Sequence, residues 1–134
     1  MYNLIIKKNS KEWRLKKKAH RINGPAIEYL NGENWWCKNG FRHRENNLPA
    51  IIRKDGNKEY WENGQEYILE ENGTKAFIDF HGNLHKDLLP AVEYSNGDQE
   101  WWRWGKRHRE NGPAVIIGNK QFWFEDGEFI KCIV

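Results

Sequence analysis

The chain says the same thing twice. Displaced by 65 residues, "GFRHRENN" (40–47) falls on "GKRHRENG" (105–112), and His20, Pro25-Ala26, Glu28-Tyr29, Asn31-Gly32 and Trp36 fall on His85, Pro90-Ala91, Glu93-Tyr94, Asn96-Gly97 and Trp101. Tyr2 and Leu4 meet Tyr67 and Leu69, so the duplicated halves run over 1–65 and 66–130. Inside each half a shorter unit recurs: a Trp strand, a Gly turn, His-Arg or His-Lys, a short loop, Pro-Ala, an apolar strand. Its four clear copies are marked by His20, His43, His85 and His108, with room for one degenerate copy around Tyr67. A chain built this way is an array of supersecondary units that bury their faces on their neighbours, within a single repeat domain over 1–134.

The units are hairpins. Asn31-Gly32, Asn39-Gly40, Asp55-Gly56, Asn63-Gly64, Asn72-Gly73, Asn96-Gly97 and Asp126-Gly127 tolerate the positive φ of two-residue turns between antiparallel strands. Between them lie short runs such as "AIEYL", "NWWCK", "QEWWRW" and "KQFWF", rich in aromatic and β-branched residues and without helical spacing. Pro25, Pro49, Pro90 and Pro113 each precede a strand, where a missing N–H costs no ladder bond. The expected fold is all-β, an antiparallel meander of successive hairpins with about ten to thirteen short strands in two duplicated halves.

Composition narrows the class. Of 134 residues 38% are hydrophobic, but 14% are aromatic and eight are Trp, which excludes a disordered chain. Cys37 and Cys132 have no metal-type spacing and are expected to be reduced thiols, and the apolar run in "MYNLIIKK" is too short for a signal peptide or a membrane span, so a cytoplasmic protein is expected.

The string Trp101, Gly105, His108, Arg109, Gly112-Pro113-Ala114, with His20, Arg21 and Gly24-Pro25-Ala26 in the first copy, resembles the MORN-related repeats. It is similar to the variant with His-Arg and Gly-Pro-Ala found in proteins of large bacteriophages and giant viruses. The copy at His43 departs from it, with Leu48 and one extra residue before Pro49. The resemblance implies a sheet of successive hairpins, typically non-catalytic, that contacts proteins or membranes, and a phage-encoded chain of this kind is expected in the host cytoplasm.

The four histidines invite a metal or a catalytic role. Histidines one repeat apart lie about two strand spacings, roughly 10 Å, from each other and so cannot share zinc. A residue recurring once per copy is expected to bond the turn of its neighbour, making His20, His43, His85 and His108 a structural ladder. No nucleophile–base set or phosphate loop stands out, so neither an enzyme nor a cofactor is expected. In "EWWRW", strand alternation sends Trp101 to one face and Trp102 with Trp104 to the other.

Charge separates the halves: fourteen Lys and Arg against seven Asp and Glu in residues 1–65 (net +7), eight against twelve in 66–134 (net −4). The expected function is therefore protein interaction, binding and inhibiting or redirecting a host or defence protein of acidic surface, without a membrane. The expected contact residues are Lys16, Lys17, Lys18, Arg21, Arg42, Arg44, Trp35, Trp102 and Trp104. An alternative is nucleic-acid binding by the same cations with exposed Trp as stacking platforms; a weaker one is a nucleotide-sequestering sponge.

Overall fold

At most of the chain's reversals a residue takes the left-handed backbone conformation that Gly and Asn tolerate best. In the structure, a computed structural model that describes residues 2–134, these reversals connect eighteen strands, every pair antiparallel, with no helix among the described residues. None of it is therefore a helix able to cross a membrane. The chain divides into two compact units, Met1–Glu66 and Tyr67–Val134, a boundary one residue from the end of the first repeat half.

In the first unit the main sheet runs β1 (Tyr2–Ile6), β2 (Ser10–Leu15), β4 (Ile27–Tyr29), β5 (Asn34–Trp35), β8 (Ile51–Ile52) and β9 (Lys58–Glu62); β3 (Lys18–Ala19) adds to β2. A separate ribbon pairs β6 (Cys37–Lys38) with β7 (Phe41–Arg42). The second unit has β10 (Gln65–Leu69), β11 (Lys75–Phe77), β12 (Val92–Glu93), β13 (Gln99–Glu100), β16 (Val115–Ile117), β17 (Lys120–Glu125) and β18 (Glu128–Ile133) in sheet order, with a ribbon of β14 (Trp102–Arg103) and β15 (Lys106–Arg107).

There are more strands than the sequence suggests because each Trp strand changes partner in mid-course. Trp36 N–H bonds Ala50 O in the main sheet, while the Trp36 carbonyl accepts from His43 N–H in the ribbon arm. Trp101 does the same with Ala114 and His108, Phe77 with Ala91 and His85, and Trp13 with Ala26 and His20. The aromatic residue is the pivot at which the chain leaves the sheet.

The Asn-Gly and Asp-Gly turns fall into two kinds. At Asn39-Gly40, Asn63-Gly64 and Asp126-Gly127 both residues have positive φ, as expected of two-residue turns. At Asn31-Gly32, Asp55-Gly56, Asn72-Gly73 and Asn96-Gly97 only the Gly does, and the flanking residues close a three-residue loop, for example Tyr29 N–H to Glu33 O. There the Asn or Asp side chain accepts the N–H two residues on, satisfying a donor that the wider loop leaves open. The dipeptide is the same in both kinds, so the expectation of uniform two-residue turns does not hold.

The core is thin. Ala26, Ala50, Ala91 and Ala114 of the Pro-Ala steps are fully buried, joined in their units by Ile51 and by Tyr67, Phe77 and Trp101. Small side chains there let the aromatic pivots close over the sheet.

Candidate functional site

Every His-Arg step is assembled in the same way. The imidazole Nδ1 accepts the N–H of the first residue in the next two-residue turn: His20 from Asn39 (2.9 Å), His43 from Asn63 (2.9 Å), His85 from Trp104 (3.1 Å) and His108 from Asp126 (3.0 Å). The residue before each His accepts the next N–H of that turn, as in Gly40 N–H to Ala19 O and Gly127 N–H to Arg107 O. Because Nδ1 is an acceptor, the proton sits on Nε2, which donates to Glu45 from His43 (2.9 Å) and to Asp87 from His85 (3.1 Å). In His108 that Nε2 is buried and has no acceptor, as is Trp101 Nε1; Glu110, the counterpart of Glu45, lies instead 3.7 Å from Arg103.

The arginine that follows folds back on the aromatic pivot. Arg21, Arg44 and Arg109 place their guanidinium carbons 3.8, 3.9 and 3.8 Å from the ring centroids of Trp13, Trp36 and Trp101. Each donates from Nη1 to the carbonyl of the repeat proline, Pro25, Pro49 and Pro113. Burial pulls the Arg44 and Arg109 guanidinium pKa down from the usual arginine value. A Cβ on Gly112 would come 2.9 Å from Arg109 Cζ, which is why Gly precedes the proline there. In the third copy Lys86 lies over Phe77 at 3.5 Å, the same cation–aromatic contact in reduced form.

Arg21 and Arg44, two of the expected contact residues, lay their planar faces on Trp13 and Trp36, and Arg21 also lies 3.6 Å from Glu28. Arg42 stands between Trp35 (4.8 Å) and Trp61 (4.6 Å) on the other side of the strand. The Trp35 and Trp102 indoles are half-buried and donate to Glu33 and Glu100. Trp104 does not lie on the strand face expected from alternation. It opens the β14–β15 turn with φ of 50°, is 62% exposed, and stacks on His85 at 3.8 Å.

Lys16 and Lys17 form the β2–β3 turn, both left-handed, with φ of 52° and 66°. The corresponding turns elsewhere hold Asn39-Gly40, Trp104-Gly105 and Asp126-Gly127. Lys18 begins β3, and its stem lies beside Gly40.

Successive His-Arg loops leave an open cleft in each unit, which sequence reasoning did not find. In the first unit it measures about 660 Å³, with walls from His20–Gly24 and His43–Leu48 and a floor of Trp36, Cys37 and Lys38. Ile22, 75% exposed, and Leu48 stand on its two walls. The second unit has the matching cleft of about 570 Å³ over Trp101 and Trp102, walled by Lys86–Leu88 and His108–Asn111, with Leu88 92% exposed. The only signal in the sequence was an apolar residue in three of the four polar loops, Ile22, Leu48 and Leu88.

Both cysteines are free; Cys37 is buried in the first cleft's floor, which pushes its thiol up to about 11, while Cys132 is exposed on β18. Among the described residues no cluster of His, Cys, Asp and Glu is placed to hold a metal. No protein-family model, curated protein or solved structure matches this chain.

Proposed function

We propose that the chain is a non-catalytic protein-binding module whose first-unit cleft takes an apolar, acidic segment of a host or defence protein and thereby inhibits or redirects it. The observation that carries this is the pair of exposed apolar residues, Ile22 and Leu48, standing on facing loops over a cleft that Arg21, Lys38 and Arg44 also line. Apolar side chains held in water on loops offer a binding surface, and three cations against the one carboxylate of Glu45 give the lining a positive balance that favours acidic sequence. The Lys16-Lys17 turn adds two cations in a backbone conformation that lysine adopts only at a cost.

Nucleic acid is less well supported, by the state of the indoles that would have to act as its stacking platforms. The Trp35, Trp61 and Trp102 indoles are each bonded to a carboxylate, of Glu33, Glu59 and Glu100, which would face the phosphates of a strand stacked on them. The test is capture from source-cell lysate with and without nuclease, followed by affinity measurements on the purified partner. Nuclease-resistant capture and a loss of tenfold or more, roughly 1.4 kcal/mol, in an Ile22→Ser/Leu48→Ser variant are expected. Capture that nuclease abolishes, or an affinity indifferent to Ile22 and Leu48, overturns the proposal.

A further inference from the structure

We infer that the chain associates with further copies of itself head to tail, the free edge of β1 in one copy pairing with the free edge of β18 in the next. The two strands are edges of their sheets: β1 pairs with β2 alone and β18 with β17 alone among the described residues.

The direction of their backbone groups follows from the bonds of the strands behind them. Trp13 directs its N–H to Ala26 and its carbonyl to His20, away from β1, so its partner Leu4 turns both backbone groups outward, as do Tyr2 and Ile6 by alternation. Phe122 likewise directs its carbonyl to Ala114, so its partner Cys132 presents its N–H and C=O at the outer edge of β18. A row of such groups is a template for another strand.

β1 carries none of the usual edge defences, and β18 carries them only near its start, in Glu128 and a β-bulge that leaves Ile130 unpaired, so that Lys131–Ile133 stay in regular register with β17. The five residues of β1 contain no charge and no proline, and Ile6 is 71% exposed. All six residues of β18 are exposed, Phe129 at 59%; its one lysine, Lys131, lies over the Trp123 ring at 4.7 Å. Two like edges could pair with themselves, but charge selects the unlike combination. The half that carries β1 has a net charge of +7, with Lys7 and Lys8 beside the strand; the half that carries β18 has −4, with Glu125 and Asp126 before the strand and Glu128 as its first residue. Such contacts are heterologous, so each copy keeps one edge open for the next.

Sedimentation of the whole chain tests this. The average mass is expected to rise from 16.1 kDa between about 10 μM and about 1 mM, the range in which so small an interface dissociates, and to fall back in high salt. Leu4→Pro and Cys132→Pro each remove an outward N–H and leave the inner ladder whole. Each variant alone is expected to stay monomeric, whereas a mixture of the two forms a dimer that grows no further, because one intact edge of each kind remains. Leu4→Lys and Ile130→Lys, which keep every N–H, repeat the mixing experiment if a proline variant loses the wild-type Trp spectrum. A wild-type chain that stays monomeric at about 1 mM, a single variant that associates like wild type, or association strengthened by salt would overturn the inference.

Discussion

At the scale of single residues, the turn at Lys16-Lys17 departs most from what its position asks. An L-residue with a Cβ in the left-handed region costs about 1 kcal/mol or more, and two lysines accept it where other copies place Asn39-Gly40 or Asp126-Gly127. Strain kept at an exposed tip points to use of the side chains. We expect Lys16→Asn/Lys17→Gly to raise stability by about 1–2 kcal/mol in denaturant unfolding while weakening capture of the acidic partner. An unchanged midpoint would mean that the turn stores no strain. The sequence shows the lysine run but not the backbone beneath it, because φ at a tip is imposed by the strands that the tip joins.

At the scale of the element, the repeat is held by a three-part contact of aromatic pivot, arginine and proline carbonyl. The half-buried Arg109 guanidinium both stacks on Trp101 and donates to Pro113 O. Each contact is of the stronger sort, a partly desolvated cation–π pair and a charge-assisted hydrogen bond. Arg109→Ala is therefore expected to destabilise by about 2–3 kcal/mol. Arg103→Ala, which breaks surface pairs with Asp126 and Glu110, should change the unfolding midpoint little. Equal losses in the two variants would show that the stack is incidental. Trp, Arg and Pro all stand in the repeat string, yet the stack joins residues eight apart through the turn of the ribbon, a separation to which strand alternation is blind.

At the scale of the molecule, stability is bounded by pH on both sides. Glu12 is held below its usual range by its bond from Arg14, Glu45 by the bond from His43, and Asp126 by the bond from Arg103. A depressed carboxylate gives stability that is present above its unfolded pKa and lost as pH falls through its folded one, so stability should decline as pH drops below about 4.5. Glu66, raised by burial, works the other way and softens that fall. At the alkaline end the hydrogen bond from Tyr94 to Glu100 lifts the phenol to about 12. A raised phenol stabilises fully below its unfolded pKa near 10, and that contribution disappears as pH climbs through about 12. Thermal melts across pH should trace both limbs, and Tyr94→Phe should flatten only the alkaline one.

The sequence by itself determined the all-β hairpin array, without helix among the described residues, and the bond from each His of the four clear copies to a neighbouring turn. These follow from short-range rules: Asn-Gly and Asp-Gly reverse the chain, proline shuns the ladder, and a group that recurs once per copy meets the next copy in the same way. Tertiary structure alone decided which arginines lie on an indole, where the strands break, and that Ile22 and Leu48 line one cleft. Those outcomes depend on which planar surface and which carbonyl lie within reach once the sheet has twisted and the ribbons have left it. The Trp36 backbone bonds Ala50 on one side and His43 on the other, and only the assembled sheet brings both to it.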